Sequence, residues 1–203
     1  NENKILYATR ITNCVFNISI QIFMPFLILY YNVSLGMDNY VLIMAPAILI
    51  AAASTVLLGK MYDKLHFKAS VIPAIALMMA GDLLLFFFKN IPVVFIGSVF
   101  LLSGFLSGMA VFGAMIRDHT PQGRAGMFQG LRIVCQVLIP GIIGPYIGAL
   151  ILRNAEVITN SDGTTSFIPN QNIWLGAFIA AIALCATLVW MFKLLSKENQ
   201  RAK

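Results

Sequence analysis

Six stretches of about twenty or more largely apolar residues fill nearly the whole of this chain, and they decide its solvent before any motif is considered. In lipid hydrocarbon a backbone N–H or C=O finds no water, so a spanning segment must satisfy its own hydrogen bonds as a helix. The stretches fall at about 5–31, 39–59, 70–88, 92–116, 125–152 and 173–192. Each reaches the ~20 residues that a bilayer crossing requires, the longer ones with room for tilt. The expected fold class is therefore an all-α membrane protein, one six-transmembrane-helix bundle over 1–203 with a short basic cytoplasmic tail over 193–203. Hydrophobic residues make up 59% and charged residues 11% of the chain, whereas a soluble domain carries about 25% charge. The chain opens on Asn1 with no signal-peptide pattern ahead of the first stretch, which reads as a fragment or a processed chain.

A net charge of +6 raises the question of nucleic acid, but its placement argues for topology instead. Lys4, Lys60, Lys64, Lys68, Arg117, Arg124, Lys193, Lys197, Arg201 and Lys203 fall on one side of the alternating segments, and only Lys89 and Arg153 on the other. Cytoplasmic loops carry such an excess, so both termini are expected in the cytoplasm of a cell membrane. No nucleic-acid partner is expected.

Cys14, Cys135 and Cys185 lie inside separate stretches without paired or metal-type spacing and read as small hydrophobes. Trp174 and Trp190 lie near opposite ends of the last stretch and read as interfacial anchors or lipid-facing filler. The longest connection, 153–172, reads as a polar, turn-rich excursion on the outer side.

The strongest local pattern is in the first stretch. Arg10, Asn13, Asn17 and Gln21 are three, four and four residues apart and so share one narrow helical face. Amides facing lipid cost several kcal/mol, so this row faces protein or a water-filled cavity. Arg10, near the cytoplasmic end, has the alternative of snorkelling to the interface. Pro25 removes the N–H that would satisfy the Gln21 carbonyl and predicts a bend.

Asp82 lies midway along the third stretch. A carboxyl at that depth is paired in a structural ion pair, or it belongs to a proton or ion path. Arg132 in the fifth stretch shares a face with Gln129 and Gln136. Its guanidinium suits an anionic or hydroxylated ligand, or an ion pair with a carboxylate such as Asp82. The fourth stretch carries Gly97, Ser103, Gly104, Ser107 and Gly108, small residues that let helices approach closely.

Three segments together resemble the major facilitator superfamily. Gly59-Lys-Met-Tyr-Asp63-Lys64-Leu-His66-Phe-Lys68 is similar to its G-x-x-x-D-[RK]-x-G-[RK]-[RK] loop, with His66 in place of the glycine and Phe67 in place of a basic residue. Asp118-His119-Thr120-Pro121-Gln122-Gly123-Arg124 resembles the family's short loop between the fourth and fifth helices of a half, and has some likeness to the sugar:cation symporters. Gly141, Gly144-Pro145 and Gly148 are similar to a G-x-x-x-G-P-x-x-G helix, with Pro140 where the first glycine belongs.

The resemblance implies the C-terminal six-helix half of a twelve-helix fold, built as a three-plus-three inverted repeat. Its partner is then the other six-helix half, within a lipid bilayer. It further implies a secondary transporter that moves a small polar solute by alternating access, driven by a proton or cation gradient. Arg10, Asn13, Asn17, Gln21, Arg132 and Gln136 would contact that solute, Asp82 would couple protons, and Gly59, Asp63, Lys64 and Lys68 would form a cytoplasmic gating loop. No Ser-His-Asp set, metal cluster or phosphate loop is apparent in the sequence. No cofactor and no enzymatic activity are expected. The alternative is a non-transporting membrane scaffold or receptor-like protein.

Overall fold

A computed structural model describes residues 2–120, 123 and 125–201, with side chains over 4–120, at 123 and 126, and over 128–197. Pro121, Gln122 and Arg124 of the second family-like loop, and Lys203 of the basic side, lie outside the described residues. Among those residues, five helices are long and apolar enough to cross a membrane.

Helix α1 (Glu2–Phe23) changes pitch where Pro25 withholds its N–H: a 3-10 turn (Met24–Phe26) follows, then Leu27–Leu29, then a wide π turn over Tyr30–Ser34. The bend expected beyond Gln21 is present.

Helix α2 (Val41–Phe87) has 47 residues, about twice what one crossing needs. At His66 the backbone leaves the helical region, with φ 63° and ψ −175°, and divides α2 into two arms. Both arms pack on α3 (Ile91–Asp118). Along the first arm Ser54, Thr55 and Tyr62 meet Ser103, Ser107 and Asp118 in ascending order. Along the second the order reverses: Ala74 and Met78 lie against Gly104, and Gly81 against Leu101 and Gly97. The two arms are therefore antiparallel to each other. A loop was expected over 60–69, but residues 60–72 contain neither Gly nor Pro to stop a helix, and the reversal is confined to one residue.

The small residues of α3 set how closely the arms approach. A Cβ on Gly104 would press into the Met78 backbone nitrogen and the Ala74 carbonyl, and one on Gly108 into the ring of Phe16. The Ser54–Ser103 and Thr55–Ser107 hydroxyl pairs, each 3.4 Å, add polar contacts on the other flank.

Helix α4 (Ala125–Ile133) passes through a π turn (Val134–Leu138) into α5 (Ile139–Ile151). Pro140 sits at the start of α5 and cannot donate to the preceding turn, which accounts for the widened pitch. Gly144 and Gly148 of α5 rest directly on Gln21 and Ile22 of α1, while Gly141 faces open space.

Within 153–172 a short antiparallel hairpin forms, β1 (Val157–Thr159) pairing with β2 (Thr165–Phe167) in the register Ile158 to Ser166. Helix α6 (Asn172–Arg201) runs well past 192, so the expected solvated tail is helical as far as Arg201.

Helix α1 packs against α3, α5 and α6. Phe16 stacks on Phe112 at 5.2 Å, and Phe112 on Phe67 at 5.4 Å. Trp174, expected at an interface, is instead completely buried, with its ring 5.1 Å from both Phe23 and Tyr30. The aromatic side chains around the pitch change in α1 supply a pocket that hydropathy alone does not reveal. Trp190 is about 44% exposed. The three cysteines are free and half-buried.

Candidate functional site

The polar row of α1 points into the bundle. Arg10, Asn13 and Asn17 are 2%, 3% and 6% exposed, and Gln21 is half-buried beneath Gly144. The Asn17 amide donates to the Asn13 carbonyl at 2.8 Å and to Asn13 Oδ1 at 3.1 Å. This pair leaves the Asn13 amide nitrogen and the Asn17 side-chain oxygen for other partners. Thr9, Thr12 and Ser19, also buried, donate back to Ile5, Ala8 and Phe16 of their own helix, which absorbs their donors.

Arg10 does not snorkel. Its Nη1 donates to the Phe128 carbonyl at 3.3 Å, and its Cζ lies 4.9 Å from the centre of the Phe128 ring. Nε and Nη2 are buried without a partner among the described residues. Phe128 was not singled out in the sequence. It sits one place before Gln129 in a segment whose polar residues drew attention, and nothing local marks it as the contact.

Asp82 is 1% exposed on the second arm of α2, and neither carboxyl oxygen has a hydrogen-bond partner among the described residues. One helical position away, Gly81 lets α3 approach closely, its Cα facing the Leu101 backbone and the Gly97 carbonyl. Nearby in sequence, the Leu85 carbonyl accepts from Tyr30 at 3.4 Å, and Tyr31 bonds Ser98 of α3.

Arg132 and Gln136 share a face as expected, with Arg132 Nε donating to Gln136 Oε1 at 2.8 Å. Gln136 Nε2 in turn reaches Met109 Sδ at 3.6 Å. Arg132 and Gln129 are exposed, and no bond links Arg132 to Asp82. The structure thus does not bring the two groups of site candidates together: the α1 row is enclosed, and the Arg132 pair lies on an outer face of this bundle.

At the His66 end, Asp63, Lys64 and Lys68 are exposed, and Gly59 has open space around it. Lys68 lies over the Phe192 ring at 5.4 Å. The single ion pair among the described residues is the exposed Arg117–Asp118 contact at 3.4 Å, and Asp63 has no ion-pair partner among them. The link between elements here is Tyr62, which donates to Asp118 at 2.7 Å. Around it opens a cleft of about 710 Å³, lined by Tyr62, His66, Lys68, Asp118, His119 and Phe192 among others. A smaller cleft of about 370 Å³ at the hairpin end includes Tyr30, Ser34, Lys89 and Glu156.

Polar groups enclosed at membrane depth and helices in glycine-mediated contact are what a moving bundle with a solute path requires. Comparison with curated proteins and with solved structures yields no significant match. The family model described as Major Facilitator Superfamily matches residues 9–203, which takes in the polar row, Asp82, the His66 reversal and the Arg132 pair. This all-α, multi-pass membrane protein belongs to the major facilitator superfamily of transporters.

Proposed function

We propose that the chain is the C-terminal six-helix half of a twelve-helix secondary transporter. The two arms of α2 count as separate crossings, and the six helices form two inverted triplets. In this reading the protein carries a small polar solute across the plasma membrane by alternating access, with both ends of the segment in the cytoplasm. A proton or cation gradient drives it.

The observation that carries the proposal is the enclosed row Arg10, Asn13 and Asn17 on α1. Burying a guanidinium and two amides in a membrane bundle costs several kcal/mol unless they have a partner. A solute that enters and leaves is a partner of that kind. Asp82, buried and unpartnered, suits the proton-carrying role. Gln21 stands at the α1–α5 contact through Gly144, where a change in the crossing would be felt. Arg132 and Gln136 join the site when the second half covers their exposed face. Gly59, Asp63, Lys64 and Lys68 surround the reversal at which the cytoplasmic side opens and closes.

The test is the triple replacement Asn13→Leu, Asn17→Leu, Gln21→Leu in the full-length protein. Membrane insertion is expected to persist, because Leu is tolerated in a membrane helix. Solute accumulation, followed by mass spectrometry of expressing and control cells, is expected to vanish. Undiminished accumulation sinks the cavity assignment, and a scaffold that moves nothing shows no accumulation in either form.

A further inference from the structure

We propose that Arg10 is an oxyanion site, so that the transported solute carries a carboxylate or a phosphate. This rests on the reading of the α1 row as solute-facing and adds the chemical class of the solute.

The guanidinium is held on one edge and one face only. Phe128 accepts from Nη1 at 3.3 Å and covers the plane with its ring at 4.9 Å from Cζ. What remains is the side-on edge of Nε and Nη2, both buried and both without a partner among the described residues. Those two N–H groups point in parallel, the fork that matches the two oxygens of a carboxylate or phosphate. A neutral hydroxyl satisfies one of them and leaves the charge uncompensated.

No anion of the described chain supplies the missing charge. The ionisable side chains nearest Arg10 are the Cys135 thiol and the Tyr7 phenol, and neither is a carboxylate. Asp82 makes no bond to Arg10, and the one ion pair among the described residues is elsewhere. A guanidinium does not shed its proton in a protein. A charge buried at 2% exposure therefore awaits its counter-ion.

The site also has a way in. Phe128 is the one buried residue among the described side chains of α4. The segment leads into the π turn Val134–Leu138, and Gly126 and Gly130 meet nothing within 4 Å. Moving α4 off α1 lifts Phe128 from Arg10 and uncovers the guanidinium.

The experiment measures thermal unfolding of the purified full-length transporter against matched probes: glucuronate with glucose, lactate with lactamide, glycerol phosphate with glycerol, and inorganic phosphate. At least one acid is expected to raise the midpoint with an apparent affinity about tenfold or more above its neutral mate, the equivalent of one charge-assisted hydrogen bond. The carboxylate and phosphate arms show which oxyanion is preferred. Arg10→Gln is expected to abolish the response, and Arg10→Lys, which keeps the charge but loses the fork, to weaken it.

Equal stabilisation by acids and neutral mates, no stabilisation by any acid, or an unchanged acid response in Arg10→Gln overturns the proposal. If neither variant folds, the matched pairs on the unaltered protein decide. Reconstituted uptake separates the two readings. Acid binding without uptake removes the transport reading and keeps the site, whereas neutral-solute uptake indifferent to Arg10→Gln removes the site and keeps transport.

Discussion

Tyr62 donates its phenolic hydrogen to Asp118 Oδ2 across 2.7 Å, tying the first arm of α2 to the C-terminal end of α3. The tyrosine is buried and its partner half-exposed, so water competes for one end of the bond only. Tyr62→Phe is expected to lose about 1.5 kcal/mol of stability, the lower end for a bond to a charged acceptor. A double-mutant cycle with Asp118→Asn, read by unfolding in detergent, is the check. A coupling indistinguishable from zero means that the two elements are held by apolar packing alone.

His66 is the one non-glycine residue with positive φ among those described. It occupies the place of the glycine in the family's loop pattern, and with ψ −175° it lies in a region almost reserved for glycine. His66→Gly removes about 1–3 kcal/mol of strain and adds about 0.5–1 kcal/mol of unfolded-chain freedom. The net expectation is a stabilisation of about 1 kcal/mol, seen as a raised unfolding midpoint. A lowered midpoint shows that the imidazole makes up for its backbone through contacts in the adjoining cleft.

Gly104 and Gly113, both on α3, make an internal control. At Gly104 a Cβ collides with the backbone of α2, and at Gly113 it meets nothing within 4 Å. Gly104→Ala is expected to cost about 1–3 kcal/mol through overpacking, whereas Gly113→Ala gains about 0.5–1 kcal/mol from helix propensity. Thermal midpoints of the two variants should move in opposite directions. A matching response removes the close α2–α3 approach as the explanation.

Asp82 has no partner to lose among the described residues, since neither of its oxygens is hydrogen-bonded there. Asp82→Asn is therefore expected to fold and insert normally. In reconstituted vesicles it should retain downhill exchange and lose accumulation against a gradient. Accumulation that survives the change takes Asp82 out of the coupling path.

In the hairpin, the Thr164 hydroxyl donates to Asp162 Oδ1 at 2.6 Å and the Thr164 amide at 3.0 Å, which draws the Asp162 carboxyl below its ordinary range. A depressed carboxyl stabilises the turn above its unfolded pKa and loses that contribution as pH falls through the folded one. Protection of the Thr164 amide, its exchange rate set against the intrinsic rate at each pH, should fall on acidification below the usual aspartate range, and Asp162→Asn should remove that fall.

Much of this protein is legible in one dimension. Hydropathy alone marks the membrane stretches, because a bilayer forces each spanning backbone to satisfy itself locally. The three-four-four spacing of Arg10, Asn13, Asn17 and Gln21 likewise places a polar face on one helix, since helical periodicity is a local property. Pro25 announces its pitch change for the same reason.

Tertiary structure decides what these faces meet. Phe128 lies 118 positions from Arg10, and only folding shows that it occupies one edge of the guanidinium and leaves the other open. The Tyr62–Asp118 bond ties the first arm of α2 to α3 beside the His66 reversal, because the helical turn that carries Tyr62 inward leaves Asp63 outside. Trp174 is buried because Phe23 and Tyr30 converge on it from a distant helix. Periodicity tells which side of a helix is polar. Which partner covers that side depends on contacts between segments far apart in the chain, and these exist only once the helices have packed.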